Sequence, residues 1–361
     1  MVSDLKFYLA LNKISVVGAT RFRRLLERFG SPEEVWKAGL SQLQEVKGIG
    51  REVAEGIVRE RERINLEEEM ILVEEKKVKV LTLEDEDYPE NLKNIYDPPP
   101  VLYVKGEIKK EDNQALAIVG SRRSTYYGKD LSQRLALGLS QKGFTIVSGM
   151  ARGIDTFAHQ GALKAKGRTI AVLGCGVDIV YPPESRELAE EIAGSGALIS
   201  EFCLGTRPLA GNFPIRNRII SGLAQGVVVV QAGERSGATI TADFALDQGR
   251  EVFAVPGNVN VFQSKGTHRL IKQGAKLVED INDILEELGI ERVSVEKKEA
   301  RQSLPEVEQS VFNSLSFEPK QIDEIIKDSS LPSGTVSSSL MLLEMKGLVK
   351  QLAGKMFVRE K

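Results

Sequence analysis

The chain has 361 residues, of which 42% are apolar, and a formal net charge of −2, so it is predicted to form two or three domains and is not a polycation. No apolar run reaches the roughly 20 residues that cross a bilayer, and the first residues lack the features of a signal peptide. The two cysteines, Cys175 and Cys203, lie far apart without metal-ligand spacing. We therefore expect a cytoplasmic protein that contacts no membrane.

Charge is distributed unevenly along the chain. Residues 115–275 contain 18 Lys and Arg against 12 Asp and Glu, whereas residues 276–310 contain 5 against 10. The small net charge therefore conceals a basic middle region, which favours an anionic partner.

Residues 1–66 are predicted to form a helical domain. Phe22, Leu25 and Phe29 recur at helical spacing, and a longer charged helix is expected over about 51–77.

Residues 46–50 match a helix–hairpin–helix signature, in which glycines permit a tight hairpin whose N–H groups hold a phosphate. The candidate DNA contacts here are Lys47, Gly48, Gly50 and Arg51. A connection between helices that binds no ligand is equally consistent with so short a pattern.

Residues 67–286 are predicted to form an extended Rossmann-like α/β domain, because apolar strands alternate with helix-sized segments from residue 115 onward. Such a sheet is doubly wound, mostly parallel and covered by helices on both faces. The predicted strands are 115–119, 144–147, 169–173, 197–199, 226–231 and 251–255. Residues 78–114 add short strands and a proline-rich turn. Ligands of such sheets bind at the carboxyl ends of the strands.

The loop after the first of these strands carries Gly120, Ser121, Arg122 and Arg123. The glycine permits close approach of a ligand, the serine adds a hydroxyl, and the arginines suit phosphate. A plain strand–turn–helix connection explains the glycine but not the two adjacent arginines, so we predict a phosphate contact.

A second candidate segment contains Asn212, Phe213, Arg216, Asn217 and Arg218 at the start of a predicted helix. Arginines there oppose the helix dipole, and an aromatic ring beside cations suits single-stranded nucleic acid, where bases stack and phosphates pair. The alternative is that Phe213 belongs to the core and the arginines form ion pairs with carboxylates.

Two further loops complete the predicted anion-binding edge. Ser236 and Gly237 lie in a Gly/Ser-rich turn that can bind an anion at the start of a helix. Arg152, Asp155 and His159 lie within 148–160, where the i, i+4 spacing of Asp155 and His159 permits a hydrogen bond on the helix surface. We expect Arg152 to be a DNA contact and the other two to have a structural role, because no nucleophile stands nearby.

The glycine-rich turns do not complete a cofactor motif. Ile179 stands where the dinucleotide fingerprint needs its third glycine, and a Walker A lysine is absent. We therefore expect no cofactor, no metal and no catalytic residues.

Residues 287–305 are predicted to be a charged linker and residues 306–361 a winged-helix domain. Its predicted elements are helices over 307–315, 319–327 and 334–346 and a hairpin that turns at 353–354. The last helix carries no arginine, so contact with a protein or an architectural role is at least as consistent as DNA readout.

Stretches between residues 117 and 275 resemble, in order and without large gaps, the DNA-processing protein A family (DprA, also called Smf). They include AIVGSRRSTYYG, SGMARGIDTFAHQGAL and FPIRNRIISGLAQGVVVVQAGERSGATITADFALDQGREVFAVPG. The resemblance implies a homodimer that binds single-stranded DNA and loads the RecA recombinase onto it in natural transformation and homologous recombination. It places the family's phosphate motif on Gly120, Ser121 and Arg122 and its stacking aromatic on Phe213. A lysine found in some members is absent from residues 208–211.

The main alternative is a nucleotide-binding Rossmann enzyme of the phosphoribohydrolase type, whose domain is similar. Ala242 stands where that family has its catalytic glutamate, and Asp243 falls on a different helical face. This difference argues against hydrolysis.

Overall fold

The computed structural model describes residues 2–290 and 304–360, which divide into two units. The larger unit contains residues 2–124 and 128–290, and the smaller contains residues 125–127 and 304–360. Most of the predicted linker, residues 291–303, lies outside the described residues.

Residues 2–75 form six helices, as the spacing of their apolar residues predicts. They are α1 (Val2–Lys13), α2 (Ala19–Phe29), α3 (Pro32–Lys37), α4 (Leu40–Gln44), α5 (Arg51–Arg61) and α6 (Glu68–Glu75). The prediction of one helix over 51–77 is therefore wrong. Asn65 lies in the break, where its side chain accepts a 3.0 Å hydrogen bond from the N–H of Glu67 and so competes with helical bonding.

The described part of the larger unit contains a nine-stranded sheet, which is mostly parallel as predicted. Its strands are β1 (Lys79–Thr82), β2 (Val101–Gly106), β3 (Ala115–Val119), β4 (Thr145–Ser148), β5 (Thr169–Val172), β6 (Ala197–Ser200), β7 (Gly226–Val229), β8 (Glu251–Ala254) and β9 (Lys276–Leu277). They lie in the order β1-β2-β6-β5-β4-β3-β7-β8-β9. Strand β2 pairs antiparallel with both of its neighbours, β1 and β6. The seven strands that follow in the sheet from β6 through β3 to β9 all pair in parallel with one another. Strand β9 was not predicted, because two residues give no readable pattern.

Helices connect the strands and cover the sheet. They are α7 (Glu90–Lys93), α8 (Tyr126–Gln141), α9 (Ile154–Lys164), α10 (Arg186–Ser195), α11 (Asn212–Leu223), α12 (Gly237–Asp247), α13 (Lys265–Lys272) and α14 (Ile281–Glu287). Successive residues of β2 enter different cores, because strand side chains alternate between faces. Tyr103 shares a core with Tyr8 and Leu9 of α1, whereas Leu102 joins the core with Ile219 of α11. The N-terminal helices therefore share one core with the face of the sheet that carries Tyr103.

The smaller unit has the winged-helix fold that the sequence predicts. Its elements are α15 (Glu306–Asn313), β10 (Lys320–Gln321), α16 (Ile322–Ser329), α17 (Ser333–Met345), β11 (Val349–Leu352) and β12 (Met356–Arg359). The helix predicted over 319–327 begins only at Ile322, because Lys320 and Gln321 pair with β12. Val311 and Ile325 are fully buried in a separate core.

No helix among the described residues combines the length and the hydropathy that spanning a bilayer requires.

Candidate functional site

A pocket of about 530 Å³ opens at the carboxyl ends of the central strands. Parallel neighbouring strands end at the same edge, so the loops after β3, β4 and β7 meet there beside the start of α11. Eight of the twelve contacts predicted for this domain line the pocket: Gly120, Ser121, Arg122, Phe213, Arg216, Asn217, Ser236 and Gly237. The pocket therefore lies where the chemistry of the loops predicts a binding edge, although not every predicted residue faces it.

The loop after β3 is held close to its neighbours. A Cβ on Gly120 would lie 2.5 Å from the side chain of Ile154, so only glycine fits this approach. The N–H of Ser121 donates to the carbonyl of Gln231 at 2.7 Å, and its Oγ accepts from the N–H of Arg123 at 3.1 Å. The loop is thus fixed by its backbone, which leaves the Arg122 side chain exposed at the pocket.

Phe213 forms the aromatic wall of the pocket. Its ring is half-buried and packs against Gly174, where an added Cβ would lie 2.8 Å from the Phe213 Cδ1. The Cζ atoms of Arg122 and Arg216 lie 5.0 and 5.9 Å from the ring centroid, which is cation–π range. Phe213 is therefore a partly accessible ring beside two cations rather than a core residue.

Arg216 is a buried cation behind this ring, with 3% exposure. It donates to the carbonyls of Gly149, at 3.0 Å, and Val172, and to the Asn217 side chain at 3.3 Å. Its partners are thus uncharged, and the ion-pair alternative does not describe it. Burial lowers the pKa of its guanidinium to about 10, and Asp155 opposes that shift. Arg216 therefore adds positive potential to the pocket.

Arg218 has a different environment from Arg216. It is buried, and it forms ion pairs with Glu201 and, at 3.2 Å from Nε, with Asp97. For Arg218 the geometry fits the ion-pair alternative, and the residue does not line the pocket. Asn217 donates to the carbonyl of Gly237 at 3.1 Å and so joins the start of α11 to the start of α12.

The start of α12 offers hydrogen-bonding groups without protein partners. Ser236 precedes the helix in an extended conformation, and its buried Oγ has no hydrogen-bond partner among the described residues. Gly237 is exposed beside it, and the first N–H groups of a helix attract anions. Thr241 was not predicted, but it also lines the pocket. Residues four positions apart lie on the same face of a helix, so its spacing from Gly237 is the signal that could have predicted it.

The other predicted contacts lie around the pocket rather than in it. Arg123 is exposed, and Arg152 is exposed and forms an ion pair with Glu184. Asn212 donates to the carbonyl of Gly174 at 3.1 Å and fixes the first turn of α11. Tyr181, which was not predicted, lies 5.6 Å from the Phe213 ring between centroids.

Asp155 and His159 are buried and form hydrogen bonds within the protein. Asp155 is buried, and its Oδ2 accepts hydrogen bonds from the N–H groups of Gly149 and Ala151 at 3.2 and 3.3 Å. Burial raises the pKa of this carboxyl, and Arg216 opposes the shift. His159 is fully buried, with its Nδ1 2.7 Å from the Thr169 hydroxyl. They do not form the surface hydrogen bond that their spacing permits, since both side chains are buried and have other partners.

The residue at the position of the phosphoribohydrolase glutamate has no group that transfers a proton. Ala242 is fully buried, and Asp243 is exposed on another face of α12. Among the described residues that line the pocket, the one carboxylate belongs to Asp155, which already binds two backbone N–H groups.

The predicted hairpin lies among the N-terminal helices, and none of its four predicted contacts lines the pocket. Gly48 has a φ of +84°, and Lys47 and Arg51 are exposed. Arg21 donates to the carbonyls of Val16 and Gly48, at 2.8 and 3.3 Å, and so fixes the hairpin. Contact of Lys47, Gly48, Gly50 and Arg51 with DNA stays a prediction.

Three family models match the chain in order. Residues 8–63 match the SAM-like helix-hairpin-helix tandem, residues 79–289 the DNA recombination-mediator protein A family, and residues 281–355 the DprA winged helix domain.

Individual relatives and solved structures agree with these matches. Protein Smf of Synechocystis sp. is 35% identical over 99% of both chains, and DNA processing protein DprA of Bacillus subtilis is 46% identical over 59% of this chain and 72% of its own. The crystal structure of DprA from Streptococcus pneumoniae covers 79% of this chain and 97% of its own, with 35% identity and a TM-score of 0.69. A DprA structure from Helicobacter pylori covers 59% of this chain and 95% of its own, with 33% identity and a TM-score of 0.53. The chain belongs to the DNA recombination-mediator protein A family, DprA/Smf.

Proposed function

We propose that this protein binds single-stranded DNA in the pocket and loads the RecA recombinase onto it, in natural transformation and homologous recombination, without catalysing a reaction. The observation that carries the proposal is the half-buried Phe213 ring beside the cations of Arg122 and Arg216. An accessible ring stacks on a base of any sequence, and cations beside it pair with phosphates.

The pocket favours a single strand over a duplex. Phe213 lies in a concavity, where an unpaired base reaches the ring but a base inside a duplex stack does not. Ser236 and Gly237 add phosphate-binding groups at the start of α12. The H. pylori relative, whose structure describes a single-stranded DNA binding mode, supports the same ligand here.

The proposed contact residues follow from their exposure and position. Phe213 stacks on a base, Arg216 acts from behind the ring, and Asn217 positions the start of α12. The residues proposed to contact or surround phosphates are Gly120, Ser121, Arg122, Arg123, Arg152, Asn212, Ser236 and Gly237. We leave Arg218 out, because its buried ion pairs with Glu201 and Asp97 occupy it.

Self-association and contact with RecA need protein-binding surfaces. Leu246 on α12 is 60% exposed, and Leu277 on the edge strand β9 is 41% exposed. Exposed large apolar residues beside an open strand edge support a protein–protein contact there. We propose a homodimer, with RecA as the further protein partner.

The test is the affinity for labelled oligothymidylate, measured by fluorescence anisotropy and compared with a duplex of the same length. Phe213→Ala should weaken binding by about 1–3 kcal/mol, or roughly 5- to 150-fold, and Arg122→Ala should weaken it and reduce the salt dependence. Phe317→Ala, which removes an exposed phenylalanine of the smaller unit, is the matched control.

Equal affinity for duplex and single strand, or no loss in either pocket variant, would refute this function. Release of free base from a nucleoside monophosphate by the wild-type protein would favour the phosphoribohydrolase alternative instead.

A further inference from the structure

A second aromatic ring stands at the same edge of the sheet. Phe262, in the segment between β8 and α13, is 62% exposed. Its ring lies against Gly233, where an added Cβ would be 2.6 Å from the Phe262 Cε1 and 3.0 Å from its Cζ. Because Gly233 has no Cβ, the Phe262 ring packs directly on the backbone there. The ring is too exposed to be explained as part of a core.

The segment that carries Phe262 is tied to the loops that build the pocket. The N–H of Ala232 donates to the carbonyl of Gln263 at 2.7 Å, which joins the segment to the loop after β7. The side chain of Gln263 donates to the carbonyl of Arg123 at 3.1 Å, which joins it to the loop after β3. The same two loops supply Arg122 and Ser236 to the pocket, so Phe262 belongs to a continuous rim.

This rim is cationic. Arg123, Arg235 and Lys265 are exposed, and none of them forms an ion pair with a described carboxylate. Arg269 donates to the carbonyl of Glu234 at 3.2 Å, which places a fourth cation beside the loop that contacts Phe262. An exposed ring among cations is the combination that binds single-stranded nucleic acid.

We propose that Phe262 is a second base-stacking position, so that the DNA strand continues from the Phe213 pocket past Arg123 to Phe262. The proposal rests on the proposed function, because it extends the same single strand. It makes affinity depend on length: a short oligonucleotide occupies the pocket alone, and a longer one also reaches Phe262.

The test uses the full chain and an oligothymidylate series from about 4 to about 20 nucleotides. Phe262→Ala should lower the affinity for the long oligonucleotides by about fivefold or more and leave that for the shortest ones unchanged. Phe262→Tyr should retain wild-type affinity, because it keeps the ring. Val259→Ala is the matched control, since Val259 is 74% exposed in the same segment but has no ring.

A fluorescence measurement keeps the proposal testable if affinity changes are small. Trp36 is the single tryptophan of the chain, so the double variant Trp36→Phe, Phe262→Trp reports only from the rim. Stacking predicts that a long oligonucleotide quenches this fluorescence and that the shortest does not.

The outcomes distinguish failure of the second stacking position from failure of the proposed function. Wild-type affinity of Phe262→Ala at every length, with no quenching in the double variant, would overturn the second position alone. Loss of self-association in Phe262→Ala, seen by light scattering with unchanged affinity per protomer, would also overturn it and make the ring a protein contact. If Phe213→Ala binds every length like the wild type, the proposed function fails as well.

Discussion

At the scale of single residues, His159 makes the stability of the fold depend on pH. The Thr169 hydroxyl donates to the carbonyl of Ile146, so Nδ1 of His159 must donate to that hydroxyl, and Nε2 is buried without a partner. A proton added to Nε2 would be buried without compensation, and burial together with Arg216 lowers the pKa of His159 to about 3.

This arrangement predicts that acidification unfolds the protein in part through His159. The unfolded chain has an ordinary histidine pKa and takes up the proton first, so stability is full above about pH 6.5 and falls as pH drops towards 3. His159→Gln should reduce the slope of unfolding free energy against pH in this range by up to about 1.4 kcal/mol per pH unit. Urea unfolding at several pH values measures that slope.

A residue that does not titrate provides the control for this prediction. Val259→Ala changes a side chain that is 74% exposed and carries no proton in this pH range, so it should keep the wild-type slope. A slope in His159→Gln equal to that of the wild type would show that acid sensitivity arises elsewhere, for example in the buried carboxylates.

At the scale of elements, α11 combines a face that lines the pocket with a face that anchors the helix by ion pairs. Residues two positions apart point about 200° away from each other around a helix. Arg216 therefore faces the pocket while Arg218 faces Glu201 and Asp97. Residue type alone does not separate the two arginines, but the helical period does once the pocket side is known.

The two faces predict opposite effects of substitution. Arg218→Ala leaves the Glu201 side chain, which is 13% exposed, without its partner, and the free energy of unfolding should fall by roughly 3–5 kcal/mol. The affinity of the folded variant for single-stranded DNA should stay at the wild-type value, because Arg218 does not line the pocket. Chemical unfolding and anisotropy on the same preparation measure both quantities.

Arg122→Ala supplies the converse case, since Arg122 is exposed and should affect affinity but not stability. If Arg218→Ala is as stable as the wild type but has lost DNA affinity, Arg218 is a DNA contact and not an anchor of α11.

Elements with a strong local pattern were predictable, and those formed by pairing were not. The strand at 115–119 is a continuous apolar run, and its predicted bounds agree with those of β3. Strand β10 forms because two residues pair with β12, which no local period reveals. The same holds for the pocket: loop chemistry identified Arg122 and Phe213, whereas Tyr181 enters through a contact between distant loops.

At the scale of the whole molecule, the two units differ in how they are built. The N-terminal helices share a core with the sheet, through Tyr8 and Tyr103 among others, so neither part keeps its packing without the other. The winged-helix unit buries Val311, Ile325 and Leu340 in a core of its own. Removal of the N-terminal helices would therefore expose the sheet, whereas the winged-helix unit forms its core from its own residues.

This difference predicts that a chain ending at residue 290 folds and keeps the DNA affinity of the full chain. Every residue that lines the pocket lies within 119–241, and Phe262 lies in the same unit. The separate piece 304–361 should fold but bind single-stranded DNA poorly, because α17 carries no arginine or lysine between Ser333 and Met345. Anisotropy titrations of both pieces against the full chain test this. A large loss of affinity in the shortened chain, with its sheet intact by circular dichroism, would assign part of the binding energy to the winged helix and show that the pocket and rim alone are insufficient.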